Sequence, residues 1–151
     1  MAPTFETFPS LVGKDLGVSS WLTVGRETIQ AFADCTGDHQ WIHIDEARAK
    51  EGPFGTTIAH GYLTLSLLPR SQRELAFIPA DVSSTINYGL DKVRFLQPVP
   101  SGARIRNHVR LLAATPKGEG RLLIKILNTV ELEGSNTPAM VAETLTLLIR
   151  S

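Results

Sequence analysis

Ala103, Ile105, Val109 and Leu111 alternate with Arg104, Arg106, His108 and Arg110. Period two sends successive side chains to opposite faces of an extended strand, so this segment expects one buried face and one wet face. Residues 121–133 and 139–149 are two more long runs rich in Leu, Ile, Val and Thr. Gly134-Ser135-Asn136-Thr137-Pro138 lies between them and has the composition of a hairpin loop. Residues 85–95 read as a further strand, interrupted by Gly89 and closed by Pro98 and Pro100. Sequential strands with short connections imply an antiparallel sheet, and the period after residue 100 excludes an all-helical fold.

The first half has a different texture. Trp21-Leu22-Thr23-Val24 suits a short strand, and Thr23 is placed to cap a helix over about residues 25–35. Ile29, Phe32 and Ala33 would face its core, and Gly37 would end it. Asp45 to Lys50 reads as a short exposed helix and Gly52-Pro53-Phe54-Gly55 as a loop. From about Ala59 to Leu68 a helix carries Leu63, Leu65, Leu67 and Leu68 with few charges on any side, the pattern of a buried helix. Pro69 should end or kink it, after which Arg70 to Glu74 reach solvent. One apolar helix and about five antiparallel strands pack economically when the sheet curls round the helix. That is the hotdog arrangement, an α+β fold. With 151 residues and no repeat or linker, residues 1–151 read as one domain.

Formal net charge is zero, which argues against a nucleic-acid partner. No apolar run approaches the ~18 residues of a membrane span, and the first residues show no basic stretch followed by an apolar one. Cys35 is the lone cysteine, so no internal disulfide forms; it reads as a small buried residue. A cytoplasmic protein without a membrane partner is the expectation.

Asp38 and His43 offer a carboxylate and an imidazole, which can trade a proton near neutral pH if they meet. On one helix they would differ by about 140° in direction. In an extended chain they would lie up to about 17 Å apart. Only a turn brings them together, and Gly37 makes one plausible. His39 and His43 are four apart, but the glutamate of a His-Glu-x-x-His site is missing and no third ligand is evident, so no metal is expected.

The segment Phe32 to Asp45, containing Gly37-Asp38-His39-Gln40-Trp41-Ile42-His43, resembles the motif of the MaoC-like dehydratases and R-specific enoyl-CoA hydratases. The likeness continues through Gly52-Pro53-Phe54-Gly55-Thr56-Thr57-Ile58-Ala59-His60-Gly61, through Asn87 to Phe95, and through Pro98-Val99-Pro100-Ser101-Gly102. The resemblance implies that Asp38 and His43 flank a water that adds to a trans-2-enoyl thioester, giving an (R)-3-hydroxyacyl thioester, or is lost in reverse. It implies a main-chain N–H at Gly61 for the thioester oxygen, a coenzyme A or acyl-carrier-protein thioester as substrate, and no cofactor. The family's Asn-Pro is replaced by Gln40-Trp41, a substitution that resembles the branch related to nodulation protein N. Without proline's fixed φ, Trp41 packing is expected to hold the turn, and Gln40 and Trp41 bear on pocket shape.

His60 either lines the site or caps the helix start. Ser66 either reaches a pocket or bonds its own helix backbone. Lys92 and Arg94 share a strand face and are either solvated or placed for the phosphates of coenzyme A. Arg104, Arg106 and Arg110 share another face, read as solvated. Two other functions fit the fold: a hotdog thioesterase, which generally carries a carboxylate on the central helix, and a non-catalytic acyl-binding subunit. The stretch Gly61 to Leu68 has no Asp or Glu, and Asp38 and His43 are both present. Hotdog sheets expose an edge, so a homodimer is expected, with the site near the interface.

Overall fold

The structure is a computed structural model and describes residues 3–150. Strands β4 (Arg104–Pro116), β5 (Arg121–Leu132) and β6 (Met140–Arg150) follow one another as an antiparallel meander. Strand β3 (Val82–Phe95) adds to the far side of β6. Two short strands, β1 (Asp15–Val18) and β2 (Leu22–Thr23), pair with β4. The order is β1-β4-β5-β6-β3, with β2 also on β4. Alternation places the core: along β5, Leu122, Ile124, Ile126, Asn128, Val130 and Leu132 are buried.

Two strand details differ from the sequence expectation. β1 has no signature in the sequence pattern, because Asp-Leu-Gly-Val is too short and mixed to show a period. β3 begins at Val82 and runs through Gly89 without ending. Its register against β6 shifts between Asn87 and Gly89 and again between Leu90 and Lys92, so the glycine marks an irregularity inside one strand.

Helix α1 (Arg26–Thr36) buries Ile29 and Ala33 and ends at Gly37, whose φ of +78° is the left-handed conformation that glycine adopts without Cβ strain. Thr23 does not cap it. Thr23 belongs to β2, opposite Arg104, and the N-cap is Gly25, with no side-chain bond. Cys35 is exposed, contrary to the buried reading, because it lies on the far side of α1 from Ala33. Two short helices follow, α2 (Trp41–Ile44) and α3 (Glu46–Lys50). The Asp45 side chain caps α3 by accepting from the Arg48 N–H at 3.0 Å.

The central helix comes in two pieces, α4 (Gly61–Ser66) and α5 (Leu68–Glu74). Pro69 accounts for the break at Leu67: it lacks an N–H, and its ring crowds the Leu65 carbonyl four residues back. The expectation of burial all round needs correction. Leu63, Thr64 and Leu68 are buried, but Tyr62, Ser66, Pro69 and Arg73 form an exposed stripe. The sheet reaches only one side of the helix. The stripe borders an open groove of about 440 Å³ whose other wall includes Tyr88 and Leu90 of β3.

The core has two apolar clusters. One gathers Val24, Ile29, Leu63, Leu68, Val130 and Met140; the other gathers Phe8, Phe77, Leu111, Leu122, Ile124 and Leu148. Asn107 and Asn128 take inward-facing positions of β4 and β5. Asn128 Oδ1 accepts from Asn107 Nδ2 at 2.9 Å and from Gln72 Nε2 of α5 at 2.8 Å. This polar link ties the helix to the sheet. No helix among the described residues is long and apolar enough to cross a membrane.

Candidate active site

Three local devices bring the candidate residues together. Gly37 turns the chain at the end of α1, and Asp38 follows directly. Asp38 Oδ1 accepts from the Gln40 N–H at 3.2 Å, a side-chain turn that reverses the backbone into α2. The single turn of α2 then carries His43 inward, where it is buried. Trp41 points elsewhere: it packs on Gly52 and holds the Arg48 guanidinium 4.3 Å above its ring, which pins the turn from outside. The missing proline is thus replaced by an Asx bond and a packed indole. The Gln40 side chain is exposed and makes no hydrogen bond among the described residues.

The second part of the site is the segment before α4. The Ile58 N–H donates to the Ile42 carbonyl at 3.0 Å, and the Ala59 N–H to the Val99 carbonyl at 2.8 Å. These bonds fix His60 opposite Asp38. His60 Nε2 lies 3.0 Å from Asp38 Oδ2, and its Nδ1 accepts the Tyr62 N–H at 3.0 Å, so it both reaches the site and caps α4. His43 Nδ1 lies 2.7 Å from the Ile58 carbonyl oxygen. A carbonyl only accepts, so Nδ1 carries the proton and Nε2 is left as the ring's acceptor.

One ligating atom each of Asp38, His43 and His60 lie within 4.8 Å of one another. Asp38 and His43 do not hydrogen-bond directly. Three such groups have the look of a metal cradle, but the tautomers speak against it. His60 Nδ1 spends its lone pair on the Tyr62 N–H, so in the neutral ring Nε2 carries hydrogen and offers a cation nothing. Asp38 and His43 remain as two lone-pair donors facing one N–H. His39 stays apart from this cluster: its Nε2 meets Asp34 at 2.9 Å. That bond, with one from Gln30, holds the Asp34 carboxyl below the usual carboxylate range.

Beside the cluster is a pocket of about 380 Å³ lined by residues including His43, Ile58, Gly61, Thr64, Phe95 and Ala139. That volume is within the range of small-ligand sites. The Gly61 N–H is the first of α4, where no intrahelical acceptor exists. Phe95 closes over Gly61, a contact that no local pattern signals, since the two residues come from α4 and the end of β3. Ser66 lies outside this pocket but lines the open groove beside α4 and α5, its hydroxyl donating to the Tyr62 carbonyl at 2.6 Å. Lys92 lies 4.0 Å from Glu143, and Arg94 donates to the Val93 carbonyl, its own neighbour. Neither lines the pocket beside the cluster. The arginines of β4 are paired rather than simply solvated: Arg104 with Glu133, Arg106 with Glu131, and Arg110 with Asp15. Asp38, His43, His60 and Gly61 therefore come together, whereas Gln40, Trp41, Ser66, Lys92 and Arg94 surround or lie outside this centre.

Residues 7–131 match the MaoC-like domain. The chain is 49% identical over 145 residues to a protein of Mycobacterium tuberculosis named 3-hydroxyacyl-thioester dehydratase Z, covering 94% of this chain and 95% of that one. It is 46% identical over 143 residues to nodulation protein N of Rhizobium leguminosarum, covering 93% and 88%. Among solved structures, an R-hydratase from Pseudomonas aeruginosa in its unliganded form superposes with a TM-score of 0.70 at 22% identity, covering 93% of this chain and 83% of that one. At that identity the likeness speaks for the fold, which is the hotdog. The chain belongs to the MaoC-like domain family.

Proposed function

We propose that this protein interconverts 3-hydroxyacyl and trans-2-enoyl thioesters by loss or addition of water, with Asp38 and His43 as its acid and base. The observation that carries the reading is their meeting within 4.8 Å beside a pocket, each oriented by a separate hydrogen bond. That spacing is too long for a direct bond and suits one oxygen atom held between them. The near-full-length identity to a dehydratase of this name supports the same chemistry.

In the hydration direction the pair takes one proton from water as the oxygen bonds to the β-carbon. It returns one proton to the α-carbon, so it ends as it began. Negative charge grows on the thioester oxygen, where the Gly61 N–H is the donor at hand. All atoms that move belong to substrate, water and these side chains, so no cofactor is required. The product is the (R)-3-hydroxyacyl thioester. Coenzyme A and acyl carrier protein share the phosphopantetheine arm, and Lys92 and Arg94 are the exposed cations for carrier phosphates. The setting for such thioesters is the cytoplasm.

The functional unit is a homodimer. β3 is an edge strand with Ile86, Tyr88 and Leu90 exposed, the last two across the groove from the helix stripe. An apolar edge of this length is normally paired. A second copy laid along β3 would cover it together with the groove.

The test is direct. Mixed with crotonyl-CoA, the protein should remove the enoyl absorbance. Asp38→Asn and His43→Gln should each slow this by roughly 10²-fold or more. Binding of enoyl thioesters of several chain lengths without turnover, with both variants indistinguishable from the parent protein, would overturn the enzyme reading.

A further inference from the structure

We infer that His60 is a positioning residue for Asp38: its imidazole acts as a fixed N–H donor that sets the carboxylate's orientation. The inference rests on the proposed hydro-lyase reading of the Asp38–His43 pair. Three observations carry it. First, the tautomer of His60 is dictated by the backbone. Its Nδ1 accepts the Tyr62 N–H at 3.0 Å, so Nε2 bears the hydrogen in the neutral ring. Second, that Nε2 is 3.0 Å from Asp38 Oδ2, while Oδ1 accepts the Gln40 N–H. The two carboxylate oxygens are thereby held from two directions, and rotation of the carboxyl group would break both bonds. Third, the imidazole is itself held in place. Phe32, His43 and Tyr62 pack around it with ring centroids 5.2 to 5.3 Å away, and its side chain is only 24% exposed.

The same ring therefore does two things, and they can be separated. Capping of α4 uses Nδ1, and positioning uses Nε2. Asparagine places an acceptor where Nδ1 stands and is a preferred N-cap, but it is too short to reach Asp38. Glutamine extends an amide N–H to the level of Nε2 and is a poorer cap. A purely structural role predicts that His60→Asn is active and His60→Gln is impaired. Positioning predicts the reverse.

Enoyl-CoA hydration by the full chain should show His60→Asn with its melting temperature and KM near those of the parent protein and kcat lowered about 10–100-fold, the usual effect of losing an orienting partner. His60→Gln should recover kcat to within a few-fold. His60→Asn with full kcat, or a His60→Gln no faster than His60→Asn, would overturn the inference. A second measurement is independent of turnover. Nitrogen-15 NMR of the neutral imidazoles should show His60 protonated at Nε2, with a resonance that moves in Asp38→Asn. An Nδ1–H tautomer, or a resonance that ignores Asp38→Asn, would overturn it even if the protein hydrates nothing. Lack of turnover in the parent protein would instead count against the hydro-lyase reading.

Discussion

The Phe95 ring lies so close to Gly61 that a Cβ at this glycine would meet three ring atoms at 3.1 to 3.2 Å. Gly61 and Phe95 both line the pocket beside His43, so the contact sets the shape of the pocket wall. Phe95 is exposed at its outer side and can yield by a few tenths of an ångström. Gly61→Ala should therefore change unfolding stability by less than about 1 kcal/mol. Its displaced ring and added methyl should lower kcat/KM for crotonyl-CoA by about tenfold or more. Thermal melts and steady-state rates on one preparation check both halves.

Asn128 is completely buried and gives its Oδ1 to two donors, Asn107 Nδ2 and Gln72 Nε2. Asn128→Ala leaves both without their shared acceptor. An unpaired buried polar group costs about 1–3 kcal/mol, so the variant should lose on the order of 2–3 kcal/mol. Urea unfolding should show a lower midpoint at an unchanged slope.

Glu131 accepts from Arg106 Nε and from His108 Nε2, each at 2.7 Å. The hydrogen bond from Arg106, then that from His108, holds its carboxyl below the ordinary glutamate range. A depressed folded value stabilises the protein above the unfolded pKa of about 4.3, and the gain is lost as pH falls through the lower folded value. Glu131→Gln should be less stable than the parent at neutral pH. The gap should close on acidification below about pH 4. Denaturation midpoints of the two proteins from pH 7 to 3 test this.

Tyr88 and Leu90 lie on the exposed edge strand and face the groove beside α4 and α5. If a second copy covers this edge, the protein should sediment at twice its 16.5 kDa chain mass. Tyr88→Glu with Leu90→Lys should release monomers. Sedimentation of the parent as a monomer at micromolar concentration would count against the dimer.

Much of this protein is written in its one-dimensional pattern. The alternation through Ile105, Val109 and Leu111 forced a strand, the five-residue loop after Glu133 forced a hairpin, and Gly37 marked the end of α1, because each depends on local backbone geometry alone. The Asp38 and His43 pair was legible as a motif, and the turn that joins them is equally local. Other features depended on elements distant in sequence. Asn107 sits at an inward position and is tolerated there only because Asn128 and Ser71 arrive to bond it. The exposed stripe on the central helix reflects how far the sheet curls, which no helical period records. His60 was a residue with two readings until the fold placed its Nε2 against Asp38 and its Nδ1 against the Tyr62 N–H. Sequence determined which groups could exchange protons. Tertiary structure decided which nitrogen of each ring holds a proton, because that depends on which donor or acceptor packing brings to the other side.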